Sequence, residues 1–207
     1  SSAKVYGQNV DSRQAVDESC PLGDQTILTP FGVSKLAGDL YAQQFAKLYG
    51  LRVAILRPGC FTGPHAHAVV EQNWEPIFVD RIVNNQELAI YGFEGAQVRD
   101  VLHVADLARA CLLAAELSWV SGSVYNVGGG MRNAVTMLEA VSIIEKQAGA
   151  KARITFGPER PGDCKQLVID YTRITRAFGW HPTISVEETF KQLVTEAVGR
   201  KRLEAAV

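Results

Sequence analysis

The apolar positions of this chain change period between its first two elements. After Thr29-Pro30, apolar side chains recur at Val33, Leu36, Ala37, Leu40, Tyr41, Phe45 and Leu48, three and four apart, and Gly50 follows. That spacing lines one helical face, threonine caps the first N–H groups, proline suits the first turn and glycine the stop. It predicts a helix over 30–49. Directly after it, Arg52-Val53-Ala54-Ile55-Leu56-Arg57 is short and mostly apolar and runs into Pro58-Gly59, which predicts a buried strand. A helix, a tight connection and a buried strand make the second half of a βαβ unit.

The same reading carries through the chain. Residues 59–70 form a loop, a helix is predicted over 74–84, a strand over 97–103 and an Ala/Leu-rich helix over 104–117. A strand at Val124–Val127 ends in Gly128-Gly129-Gly130. Thr136 and Glu139 form a capping box for a helix that Gly149 closes. Ile154–Phe156 and Gln166–Asp170 are short strand candidates. Helices follow at 172–179 and after Ser185, where Glu188 completes a second capping box. The last residues, 200–207, read as a solvated tail. There is no internal repeat.

Composition narrows the function classes. Hydrophobic residues make up 47% and charged ones 21%, with a net charge of −1, an ordinary globular balance that predicts neither a nucleic-acid nor a membrane partner. No window approaches the roughly 18 apolar residues of a membrane span. SSAKVYGQ is not a signal peptide, and Cys20, Cys60, Cys111 and Cys164 form no Cys-x-x-Cys pair, so free thiols in a reducing cytoplasm are expected. The chain opens on a small-polar stretch, inside a motif, and reads as cut from something longer.

The candidate chemistry begins at Phe31-Gly32-Val33-Ser34-Lys35. Together with Ser1-Ser2-Ala3-Lys4-Val5-Tyr6-Gly7, this segment resembles the Y-x-x-x-K and S-S-x-x-V-Y-G motifs of extended short-chain dehydrogenases, the NAD-dependent epimerase/dehydratase family. The resemblance implies that Ser2 bonds the reacting sugar oxygen and that Lys35 holds the nicotinamide ribose. Position 31 would be the general base. Residues i and i+4 share a helical face, and a cation beside a phenol favours the phenolate. Phe31 departs from the pattern at the decisive atom, since it has no hydroxyl to exchange a proton. Losing a positioned base typically costs about 10²–10⁴ in rate.

Further segments carry the same resemblance. Arg57-Pro58-Gly59-Cys60-Phe61-Thr62-Gly63-Pro64 is similar to the L-R-P-x-x-x-x-G-P loop beside cofactor and sugar, implying Pro58 and Cys60 near the cofactor and Thr62 on the substrate. Gln97–Asp106 is similar to V-R-D-x-x-H-x-x-D, whose arginine, here Arg99, would meet the pyrophosphate. Val124-Tyr125-Asn126-Val127-Gly128-Gly129 matches Y-N-x-G-G. Arg160-Pro161-Gly162-Asp163 matches R-P-G-D, with Arg160 on phosphate and Asp163 on ribose. A guanidinium fork suits a pyrophosphate. The 59–64 loop and the 92–100 segment look most like the CDP-paratose/tyvelose 2-epimerase branch.

The resemblance implies an α/β fold: a partial Rossmann-type parallel sheet from 1–60 and 97–130, lacking its amino-terminal dinucleotide-binding half, and a small α/β substrate lobe from 61–96 and 131–199. NAD and a nucleotide sugar are the implied ligands, although no Gly-rich phosphate turn is present. The implied partners are a second copy of the chain or a missing amino-terminal segment, since an open sheet edge seeks cover. Two functional readings stay open: an epimerase half with impaired chemistry, and a non-catalytic nucleotide-sugar-binding or assembly module. His65 and His67, two apart with no third ligand, read as a solvated or substrate loop. His103 reads as structural, and Trp74, Trp119 and Trp180 as packing residues.

Overall fold

The computed structural model describes residues 1–7, 15–23, 28–66, 73–116 and 121–204. His67 and Trp119 lie outside the described residues. The order of elements is a short 3₁₀ turn at Ala3–Tyr6, α1 (Pro30–Tyr49), β1 (Ala54–Pro58), β2 (Cys60–Thr62), α2 (Trp74–Val83), β3 (Glu87–Tyr91), β4 (Val98–His103), α3 (Val104–Glu116), β5 (Ser123–Val127), β6 (Ala134–Thr136), α4 (Met137–Ala148), β7 (Arg153–Gly157), β8 (Gln166–Leu167), α5 (Thr172–Phe178) and α6 (Val186–Glu204).

The helix boundaries follow the caps. The Thr29 hydroxyl accepts from the Gly32 N–H, Pro30 takes the first position, and Gly50 closes α1 in the left-handed region at φ 64°. Thr136 and Glu139 form the full capping box of α4, and the Ser185 hydroxyl accepts from the Glu188 N–H at 3.2 Å. Helix α6 continues to Glu204, into the segment expected as a tail.

The strands fall into three groups. β1 and β5 pair in parallel from Ala54↔Ser123 to Pro58↔Val127, so their carboxyl ends lie side by side. β4 is the hub of a second sheet, parallel to β2 and β8 and antiparallel to β6. β3 and β7 form a parallel pair. The expected core segment 97–130 therefore divides, with β4 in the second sheet and β5 beside β1. β2 lies within the expected loop, and β3 and β6 were not anticipated. β3 alternates exposed Glu87, Ala89 and Tyr91 with buried Leu88 and Ile90, a run too short to stand out.

Three clusters of buried side chains hold these layers. One joins α2, α4 and α6 to β3 and Val101. A second joins Leu102, α3, α5 and β5 around Trp180. A third gathers Val5, Tyr6, Val16, Leu167 and Ile169. Successive residues of β4 thus point into different cores, as strand alternation requires.

Helix α1 forms over the span its pattern predicts. Its buried face is Gly32, Asp39 and Ala46, seven apart. The apolar side chains that define its period, Val33, Leu40, Tyr41, Phe45 and Leu48, are exposed. Apolar period identifies a helix but not the side on which its neighbour stands.

The inward face of α1 is anchored by charge. Arg57 of β1 is 3% exposed and Asp39 2%. The guanidinium donates to both Asp39 carboxylate oxygens, at 2.9 and 3.2 Å, and to the Tyr6 hydroxyl at 3.1 Å. Tyr6 donates in turn to the Asn126 side chain at 2.7 Å, and Ser1 and Gln43 donate to Asp39. Burial alone would raise the Asp39 carboxyl, but these donors outweigh it and hold it below the usual range.

Removing one member of a buried ion pair leaves the other charged and unpaired. Arg57→Met should destabilise the fold by about 3–5 kcal/mol in urea unfolding. Adding Asp39→Leu to that variant should recover most of the loss.

Candidate functional site

The motif at the head of α1 is assembled by close backbone contact. Ser2 caps the 3₁₀ turn, its hydroxyl accepting from the Lys4 N–H at 3.2 Å. That turn lies against the first turn of α1, where a Cβ added to Gly32 would come within 2.9 Å of the Lys4 carbonyl. Glycine at position 32 therefore lets the Ser2 turn approach Phe31 and Lys35. Phe31 is 45% exposed, and the Lys35 ammonium lies 5.2 Å from its ring centroid. Among the described residues Lys35 pairs with no carboxylate. The Ser2 turn thus lies against the first turn of α1, which carries Phe31 and, one turn on, Lys35.

The ends of β1 and β5 form the floor beside this turn. Pro58, Gly59 and Cys60 leave β1 and enter β2, and Gly128-Gly129-Gly130 leave β5. Asp100 sits between the two exits, 1% exposed, accepting the Gly130 N–H at 2.9 Å. A Cβ on Gly128 would collide with its carboxylate, so glycine is needed there for the approach. Burial pushes the Asp100 carboxyl up to about 7, against the pull of backbone N–H groups from Gly130, Ile169 and Gly129.

The other face of β4 carries Arg99, Val101 and His103. Register sets Cys60 beside Val101 and Thr62 beside His103. Arg99 is 5% exposed and donates to Asp163 at 2.5 Å, to the Cys164 carbonyl at 2.8 Å and to its neighbour's Val98 carbonyl at 2.7 Å. Lys4 reaches Asp163 at 4.0 Å. Arg99 and Asp163 are thus brought together, and each occupies the other. Arg160 stands apart and exposed, its guanidinium 4.0 Å from the Tyr91 ring centroid.

One residue that meets this face escaped the reading of the sequence. Glu75, in the first turn of α2, is 2% exposed, and burial pushes its carboxyl up to about 8. Burial, with the Glu75 carboxyl nearby, pushes the Cys60 thiol up to about 12, which leaves it protonated and no nucleophile at neutral pH. A glutamate between Trp74 and Pro76 at a helix start looks like an ordinary first-turn acid, so nothing local marks it. The Asp39–Arg57 pair had a signal: an arginine inside an apolar strand needs a buried partner.

Of the remaining singular residues, His103, Trp180 and Trp74 make contacts within the fold. His103 accepts the Ala105 N–H and meets the Gln192 side-chain oxygen at 3.1 Å. Trp180 is fully buried and donates to the Asp106 carbonyl at 3.0 Å. Trp74 packs on Phe78 and Phe190. His65 is exposed, and its backbone N–H donates to Glu196. No disulfide joins the cysteines. Among the described residues no cluster of His, Cys, Asp or Glu could hold a metal ion, and no helix is long and apolar enough to cross a membrane.

The pattern of the NAD dependent epimerase/dehydratase family matches residues 1–128. This chain belongs to that family. It is 31% identical over 190 residues to CDP-paratose 2-epimerase of Salmonella typhi, covering 89% of this chain and 55% of that protein. A putative UDP-glucose 4-epimerase of Methanocaldococcus jannaschii is 31% identical over 194 residues, covering 94% and 60%. The crystal structure of Thermotoga maritima UDP-glucose 4-epimerase with UDP-glucose superposes with a TM-score of 0.84 at 30% identity, covering 98% of this chain and 62% of that one. The Thermus thermophilus UDP-glucose 4-epimerase complex with NAD gives 0.83 at 28%, covering 96% and 62%. The chain thus spans 55–62% of the length of these relatives.

The two raised carboxyls fix a pH dependence. A carboxyl raised in the fold stabilises it fully below the unfolded value, and that stability fades as pH rises through the folded value. For Asp100 the window runs from about 4 to about 7, and for Glu75 from about 4.5 to about 8. Asp100→Asn and Glu75→Gln should each flatten the fall in urea-unfolding stability across the corresponding window.

Proposed function

We propose that this chain carries the nucleotide-sugar side of an NAD-dependent epimerase/dehydratase site in which Phe31 has taken the general-base position. The observation that carries this is the packing of the Ser2–Lys4 turn against Phe31-Gly32-Val33-Ser34-Lys35. Ser2 offers a hydroxyl to a sugar oxygen, and Lys35 an ammonium. Arg99, beside Asp163, would meet the diphosphate by exchanging its carboxylate partner for phosphate oxygens of like geometry. Arg160, exposed on Tyr91, can swing to the same diphosphate.

NAD, when bound in this family, takes up and returns a hydride. The residues here suit its nicotinamide side. Lys35 has no carboxylate to neutralise it among the described residues, and Pro58 and Cys60 line the carboxyl end of β1, where open α/β sheets receive their ligands. No residue of this chain matches the Gly-rich turn that would hold the adenine side. What the chain cannot supply at position 31 is a proton acceptor. Phe31 therefore favours binding and orientation of a nucleotide sugar over its turnover.

The exposed stripe Val33, Leu40, Tyr41, Phe45 and Leu48 supports association of two copies through α1. Sedimentation at micromolar concentration should give a dimer, and Tyr41→Glu with Leu48→Glu should give a monomer. A wild-type monomer would sink this arrangement.

Two further measurements test the site. In F31Y, ultraviolet difference titration should find a new phenol titrating below the ordinary value of about 10, and adding Lys35→Met should move it back up. An unshifted phenol would mean that Lys35 does not serve position 31. Calorimetry with UDP, dTDP and CDP should find binding by at least one, weakened about tenfold or more by Arg99→Lys. No binding by any of the three would overturn the nucleotide-sugar reading.

A further inference from the structure

Beyond the arginine that would take the diphosphate, the same face of β4 gathers polar groups with nothing to bond. Cys60 and Thr62 alternate onto the face that Val101 and His103 share, and Arg99 is two residues before Val101 on that side. Val101 packs with α2, α4 and α6, so α2 covers this face. From α2 the first turn presents Trp74 and Glu75. Thr62 Oγ1, Glu75 Oε1 and Trp74 Nε1 are all shielded from solvent and have no hydrogen-bond partner among the described residues. Glu75 faces Cys60 and Arg99 electrostatically.

A buried polar atom without a partner is costly, and native folds keep few of them. Three such atoms, two in the first turn of α2 and one in β2, the strand whose Cys60 faces Glu75 electrostatically, call for a partner. The rest of α2's buried face is Pro76, Phe78, Val79, Ile82 and Val83, so an apolar side chain at position 75 would continue the packing without that cost. The cost is explained if a ligand supplies the missing bonds.

We propose that Glu75, with Thr62 and the Trp74 indole N–H, forms a hydrogen-bonding subsite for hydroxyl groups of the sugar carried by the nucleotide. This rests on the nucleotide-sugar reading above. With its carboxyl raised to about 8, Glu75 is mostly neutral at pH 7 and both donates and accepts, as a sugar hydroxyl does. An ionised carboxylate so near Arg99 would instead repel the incoming diphosphate. Thr62 donates and accepts, and the indole only donates, so the set distinguishes hydroxyl positions and orientations.

The test compares UDP, dTDP and CDP with their glucosyl esters by calorimetry on the intact chain. The quantity read is the ratio of diphosphate Kd to glucosyl-diphosphate Kd. Glu75→Leu should lower that ratio at least fivefold and leave the bare-diphosphate Kd unchanged, while Glu75→Gln should keep most of it. Thr62→Val should lower the ratio in the same direction. Thermal unfolding checks the fold, and Glu75→Leu should raise the Tm because it removes the unpaired carboxyl. A raised Tm with an unchanged ratio would overturn the subsite and leave Glu75 a packing defect. A wild-type ratio near one for all three esters would overturn it as well. Failure of every bare diphosphate to bind is a separate result: it removes the Arg99 reading first and the subsite with it.

Discussion

The fold depends on one buried ion pair. Arg57 sits in the middle of a short strand whose neighbours are apolar, and its charge is tolerable there only because Asp39 descends from α1 to meet it. The pair fixes the depth and rotation of α1 against β1. Through Tyr6 and Asn126 the same network ties the 3₁₀ turn and β5 to that strand. An ion pair is directional where apolar contact is not, so it holds these elements in one arrangement. That arrangement packs the Ser2 turn on the first turn of α1 through Lys4 and Gly32.

β4 distributes the remaining chemistry by alternation. One face sends Asp100 into the gap between the exits of β1 and β5, where glycines let backbone N–H groups reach its carboxylate. The opposite face holds Arg99 against Asp163 and faces α2 with Glu75. A single strand therefore joins the end of the parallel pair to the lobe that would recognise the nucleotide sugar. Because burial raises both carboxyls, neither carries a full negative charge at neutral pH.

Family membership rests on residues 1–128 as a whole, and within them position 31 is a ring without a hydroxyl. Arg99 and Asp163 stand together in the fold, and the Ser2 turn packs on the first turn of α1. Proton transfer rests on one oxygen that Phe31 lacks. The Lys35 ammonium stands 5.2 Å from the centroid of that ring.

The sequence alone determined most of the elements, because their signals are local. Thr29, Gly50, Thr136 and Gly149 mark helix ends through their own backbone bonds, and the ordered motifs from Ser2 to Asp163 carry the family. Short strands such as β3 and β6 were not legible, since a few residues hold too little alternation. The tertiary structure alone decided which way the side chains face. Helix α1 turns its apolar stripe outward and its aspartate inward, β4 leaves β1 for a separate sheet, and Glu75 becomes a buried acid. Periodicity records that a face is apolar, but burial and ionisation depend on which distant segment stands opposite, as Arg57 does for Asp39.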